Sequence, residues 1–98
     1  MLIETRERWK DATPPKPPLD IEGHTSTVNS AAMSPDGKRV VTASDDKTAK
    51  VWDVESGTEM CTLEGHTDWV YSASPVRNGT AVITAGADKK IILYDRLG

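Results

Sequence analysis

Apolar and polar positions follow one another along this chain in short runs that never settle into a helical period. Val28–Met33 and Val70–Ser74 alternate loosely, and Arg39–Ser44 and Ala81–Gly86 are rich in β-branched and small residues. Thr48–Asp53 and Lys90–Asp95 each end in an aromatic residue followed by Asp. Runs of this length and composition predict strands. Between them stand Asp36-Gly37 and Asn78-Gly79, dipeptides that favour the positive φ of tight turns, so each first pair of runs reads as a hairpin. A further turn around Asp45–Lys47, and again around Ala87–Lys89, leads to a third strand. Glu55-Ser56-Gly57 then turns the chain into Thr58–Leu63. The pattern predicts four antiparallel strands in each period of the chain, with no helix inside it.

That period is explicit. Gly23-His24-Thr25 returns as Gly65-His66-Thr67 and Trp52-Asp53 returns as Tyr94-Asp95, both at an offset of 42 residues. Laying Glu22–Asp53 on Glu64–Asp95 without a gap gives 14 identities in 32 positions, so the chain contains two copies of one unit. The expected organisation is an N-terminal arm and Pro-rich connector over residues 1–18, then two repeats over 19–98, with units at about 22–63 and 64–98.

The first copy carries Gly-His, then Ser34-Pro35-Asp36-Gly37, then Asp46-Lys47-Thr48, then Trp52-Asp53. In this series, and in its period, the chain resembles the WD-repeat family, over about four fifths of its length. The resemblance implies an all-β fold: two four-stranded antiparallel blades of a β-propeller. The second copy departs from the pattern. Ser74-Pro75 is shifted and followed by Val76-Arg77-Asn78-Gly79, and Tyr94 stands in place of the Trp.

In that family a His, a Ser or Thr, an Asp and a Trp form a hydrogen-bonded chain within each blade. The resemblance maps this chain onto His24, Thr42, Asp46 and Trp52, with Ser44 as the alternative hydroxyl because it shares the parity of Thr42. In the second copy it maps onto His66, Thr84, Asp88 and Tyr94. An indole nitrogen can only donate, whereas a phenol also accepts and reaches further, so the second network is expected to be rearranged or partly open. The recurring His and Asp are thus read as structural; catalysis would need a nucleophile or a metal partner beside them.

Two blades do not close a propeller, which needs about 4–8, and each open end of a stack leaves an apolar face bare. Leu19-Asp20-Ile21-Glu22 aligns with Cys61-Thr62-Leu63-Glu64 and so reads as an outermost strand lacking its own blade, while the last blade reads as three strands. The expected partner is therefore the chain itself, head to tail, completing a closed propeller by homo-oligomerisation. Three chains give six blades and four give eight, so trimer and tetramer both stand and a seven-bladed ring does not. A second reading makes the chain a fragment or evolutionary intermediate of a larger propeller, with no binding role of its own.

Carried over by position, the family's ligand-facing residues are Thr27, Asn29 and Asp45 in the first copy and Trp69, Tyr71 and Ala87 in the second. Trp69 and Tyr71 are two apart on a strand and belong to the types most enriched at binding hot spots. Two roles remain open for them: a channel-face site for a protein or peptide, or packing against an adjacent blade.

Composition narrows the remaining chemistry. With 37% hydrophobic residues and no Phe, 98 residues predict a thin core. The net charge of −3 arises from 12 basic and 15 acidic residues spread through the chain, which offers no basic face for nucleic acid. The single Cys61 reads as a small half-buried side chain on a strand, with no second Cys or paired His at metal-ligand spacing. No phosphate-cradling glycine loop or nucleophile elbow is present, so neither a cofactor nor enzymatic activity is expected, and an enzymatic or glycan-binding propeller is the weaker alternative. No segment is apolar for long enough to span a bilayer, and the reading places the protein in the cytoplasm, away from membranes. Arg8-Trp9-Lys10-Asp11 reads as a decayed Trp-Asp end, a docking arm or a frayed tail, and Pro14-Pro15-Lys16-Pro17-Pro18 as a stiff extended connector.

Overall fold

Tight turns fold the chain into two antiparallel sheets in the computed structural model, which describes residues 21–95. The strands are β1 (Val28–Met33), β2 (Arg39–Ser44), β3 (Ala49–Asp53), β4 (Glu59–Leu63), β5 (Val70–Val76), β6 (Ala81–Gly86) and β7 (Ile91–Tyr94). Each sheet is a meander, in the order β1-β2-β3-β4 and β5-β6-β7. The predicted arm, with Trp9 and the proline run, lies outside the described residues. So do Leu19 and Asp20 of the expected extra strand, and the remaining two, Ile21 and Glu22, belong to no strand.

The first hairpin is closed by side chains: Ser34 Oγ donates to Asp36 Oδ1 at 2.7 Å and accepts the Arg39 N–H at 3.1 Å. Gly37 takes the positive φ, 75°, that this turn requires. The second hairpin lacks that Ser-Asp pair and closes on the Gly79 and Thr80 N–H bonds, with the Thr80 hydroxyl donating to the Arg77 carbonyl at 2.7 Å. Arg77, Asn78 and Gly79 all stand at positive φ, and pairing runs one residue further, to Val76 opposite Ala81. Pro75 is tolerated inside β5 because β5 is the edge of its sheet and needs no outward N–H.

Three predicted strands begin one residue late, each for a visible reason. Thr48 gives its N–H and hydroxyl to Asp46 Oδ1, at 2.9 and 2.6 Å, and Lys90 gives its N–H to Asp88 Oδ1. Thr58 N–H turns to Ser56 Oγ. These donors serve the turns and not the ladders.

The core lies between the sheets. Val41, Ala43, Ala49, Val51 and Leu63 of the first form one buried cluster with Val70, Ala73 and Val82 of the second, and Cys61 and Tyr94 pack at its margin. Alanines at three of these eight positions keep the sheets close, which explains how a chain without Phe fills the space. Burial raises the Cys61 thiol pKa, as expected of a small packed side chain. Polar atoms also cross the seam: Asn29 Nδ2 donates to the Val70 carbonyl at 2.9 Å, and Ser30 Oγ accepts the Ala73 N–H at 3.3 Å.

Candidate functional site

Two recurrent arrangements stand out, a polar chain inside each sheet and a set of residues at the start of each first strand. In the first sheet Trp52 Nε1 donates to Thr42 Oγ1 at 2.8 Å, Thr42 Oγ1 meets His24 Nε2 at 2.6 Å, and His24 Nδ1 meets Asp46 Oδ2 at 2.8 Å. Donor capacity fixes the direction. The indole can only give, so Thr42 accepts from it and passes its own proton to His24 Nε2; the carboxylate can only accept, so Nδ1–H points at Asp46. Of the two hydroxyls left open by parity, Thr42 holds this position. Ser44, also buried, accepts the Asp46 N–H at 3.0 Å.

Asp46 closes the chain by fastening two loops. Besides His24 it accepts from Thr25 N–H at 3.1 Å and from Thr48. Burial alone would raise its carboxyl pKa, but the bonds from Thr48, His24 and the Thr25 backbone outweigh that and hold it far below the ordinary value of 3.8. The segment before β1 is thereby tied to the β2–β3 turn. Gly23 has a steric role in this: a Cβ there would sit 2.6 Å from Trp52 Cη2, so a bare glycine is needed where the segment passes against the rim of the indole.

The second sheet repeats three of the four members. Thr84 Oγ1 meets His66 Nε2 at 2.7 Å, and His66 Nδ1 lies 2.9 and 3.0 Å from the two Asp88 oxygens. Asp88 also accepts the Thr67 and Lys90 N–H groups. Its pKa is pushed up by burial and down, more strongly, by these bonds, to about 2. Tyr94 is used differently from Trp52: its hydroxyl donates to the Glu64 carbonyl at 2.7 Å, while burial raises its pKa and the neighbouring Thr84 side chain works against that rise. Gly86 stands where the first sheet has Ser44, and a Cβ there would come within 2.6 Å of His66 Nδ1.

This combination of Gly-His, tight-turn Asp and third-strand aromatic, twice over on two meander sheets, is matched by the family model for the WD domain, G-beta repeat, at residues 15–53 and 57–95. The chain belongs to the WD-repeat family. Among curated proteins, the WD-repeat chain is similar to the vegetative incompatibility protein HET-E-1 of Podospora anserina, 60% identical over 38 residues, covering 39% of this chain and 3% of that protein. Periodic tryptophan protein 2 of Saccharomyces cerevisiae is 54% identical over 44 residues, covering 45% and 5%. Ribosome assembly protein 4 of the same yeast is 40% identical over 54 residues, covering 55% and 10%. The WD-repeat chain therefore spans a tenth or less of the length of these relatives.

The residues read as ligand-facing gather at one end of each WD-repeat sheet. Asp45 N–H donates to the Thr27 carbonyl at 2.9 Å and Ala87 N–H to the Trp69 carbonyl at 2.8 Å. Asn29 Nδ2 uses both of its protons, one on Asp45 Oδ1 at 2.7 Å and one on the Val70 carbonyl, which brings the two groups side by side. Trp69 and Tyr71 are about half exposed. The bridging roles of Asn29 and Ser30 were not foreseen from sequence. Their trace is the exchange of Asn29 and Asp45 for Tyr71 and Ala87 at the same offset. Among the described residues no cluster of three or more His, Cys, Asp or Glu could hold a metal ion, and no helix is long and apolar enough to cross a membrane.

Proposed function

We propose that this chain is a protein-interaction and assembly module whose blades dock head to tail into a closed propeller, the docking partner being a second copy of the chain. One observation carries the reading: the two outward faces carry exposed apolar residues at positions that correspond, by the 42-residue register, to most of those that already meet inside the molecule. Val41, Ala49 and Val51 are buried against the second sheet, and their counterparts Ile83, Ile91 and Leu93 are exposed. Ile91 is 74% exposed where Ala49 is 1% exposed. On the other side Val70 and Ala73 are buried, while their counterparts Val28 and Ala31 are exposed. A face of each type is therefore free, and a heterologous contact between them has the geometry of the internal seam. Exposed aliphatic patches of this kind mark interaction surfaces.

The outer sheet also carries larger side chains on a narrower frame. Among the described residues it has three strands, so β7 presents an unpaired edge where β3 is covered by β4. That edge is a suitable place for an extended segment of a second copy to pair. In the assembled ring, Asn29, Asp45, Trp69 and Ala87 recur with its symmetry around the channel mouth, offering a protein or peptide ligand several equivalent points of attachment, while Thr27 and Tyr71 stand at the seam between copies. A cytoplasmic setting suits the unpaired thiol of Cys61.

Native mass measurement of the full chain tests this. A discrete species at three or four times 10.7 kDa is expected. Replacing Ile91 with Asp should return it to 10.7 kDa without loss of the sheet signal in circular dichroism. The small share of each relative that the chain spans favours a second reading, in which these faces meet further blades of one longer chain. A monomer at every concentration would support that reading over self-assembly.

A further inference from the structure

Besides its larger aliphatic side chains and missing fourth strand, the free face of the second sheet differs from the inner seam at one pair of positions that changes the chemistry of the contact. In both sheets the first strand is bulged just after its valine: pairing slips between Val28 and Ser30 in β1 and between Val70 and Ser72 in β5. A bulge gives the strand an unpaired extra residue and re-aims its side chain. In β1 that residue is Asn29, braced by Asp45 and bonded across the seam to the Val70 carbonyl. In β5 it is Tyr71, and the bracing position is Ala87. The backbone frames agree, since Asp45 and Ala87 make the same N–H bond to the residue before the valine. A short polar pair in one sheet is thus a large aromatic beside a small residue in the other.

We propose that Tyr71, with Ala87 leaving room for it, determines the strength of the seam that the second blade makes with the first strand of a docking copy. This rests on the head-to-tail reading above. The docking copy brings Val28 to the place that Val70 occupies inside the molecule. Val28 is 51% exposed and Tyr71 is 52% exposed, so both have surface to lose there. A phenol is too long to repeat the bond that Asn29 makes to a valine carbonyl from the same backbone position. Its ring instead lies across Val28 and Thr27, with the hydroxyl at the wet rim. The seam within a chain is closed by a braced hydrogen bond, and the seam between chains by buried aromatic surface.

Sedimentation velocity on the full chain over a range of concentrations tests the assignment. Tyr71→Ala is expected to raise the dissociation constant of the assembly roughly 30-fold, the loss typical of a central aromatic anchor. The double variant Tyr71→Asn with Ala87→Asp moves the inner-seam pair to the outer seam, and assembly should recover to within roughly threefold of the parent by the same relation. A failure of that pair to rescue would overturn the equivalence of the two seams. If the parent assembles and Ile91→Asp dissociates it, but Tyr71→Ala leaves the constant unchanged, the Tyr71 assignment falls and the head-to-tail reading survives. If the parent itself never assembles, the head-to-tail reading falls first.

Discussion

The two blades fasten the same loop with different aromatic chemistry. In the first, Trp52 lies with its rim against Gly23 and gives its indole proton to Thr42, so ring and network are one unit. In the second, Tyr94 stands beside Thr84 but gives its hydroxyl proton to the Glu64 carbonyl, next to Gly65. Both props hold the Gly-His segment down on the sheet, one by contact and donation within the sheet, the other by a bond to the segment's own backbone. The members present in both, His, Thr and Asp, are those that join the segment before the first strand to the β2–β3 turn and its counterpart. The aromatic position differs between the copies because each ring props the outer end of the segment in its own way.

This difference can be broken most sharply at the aromatic itself. Trp52→Ala removes a buried ring and its donor together, and a loss of about 3–5 kcal/mol in urea denaturation is expected. Tyr94→Ala, at a half-buried position whose hydroxyl donates to one carbonyl, should cost about 1–2 kcal/mol. The hydroxyl comes next. Thr42→Val strands both the Trp52 indole and His24 Nε2, for about 2–3 kcal/mol, whereas Thr84→Val strands His66 Nε2 and should cost about 1–2 kcal/mol by the same measurement.

Acid should sharpen the comparison further. Both turn carboxyls titrate below the ordinary 3.8 in the folded chain, Asp88 at about 2 and Asp46 lower still. The unfolded chain therefore takes up protons first as pH falls. The contribution of these groups is complete above about pH 4 and is lost as pH drops toward about 2 for Asp88, and over a wider range for Asp46. Urea midpoints followed from pH 6 to 2.5 should fall less steeply below about pH 4 in both Asp46→Asn and Asp88→Asn than in the parent, because each substitution removes a carboxyl that the unfolded chain protonates first. The smallest effect belongs to the exposed pair Arg77–Asp95, 2.8 Å apart with both side chains about half exposed. Arg77→Ala should change stability by about 0.5 kcal/mol or less and lose even that at high salt.

Most of the fold was legible in the sequence because the turns announce themselves. Asp36-Gly37, Asn78-Gly79 and the repeated Asp-Lys after the second strand place the hairpins, and the 42-residue register transfers any strand from one copy to the other. Strand starts were less legible, since Thr48 and Lys90 look like ladder residues until the turn carboxylates claim their N–H groups. Parity left Thr42 and Ser44 equivalent; reach separates them, because Ser44 lies beside the turn and meets the Asp46 backbone. The seam bonds of Asn29 and Ser30 were invisible, as they depend on how one sheet lies on another, which no local pattern encodes.

The match between the Ile83, Ile91 and Leu93 face and its buried counterpart has one more consequence, for connectivity. On the head-to-tail proposal, this face would receive a blade on the same chain and one that arrives by diffusion in the same way. Joining two copies by a flexible tether would leave every contact unchanged and replace the bulk concentration by a local one in the millimolar range. Covalent length and mass action are then interchangeable ways of populating the same seam.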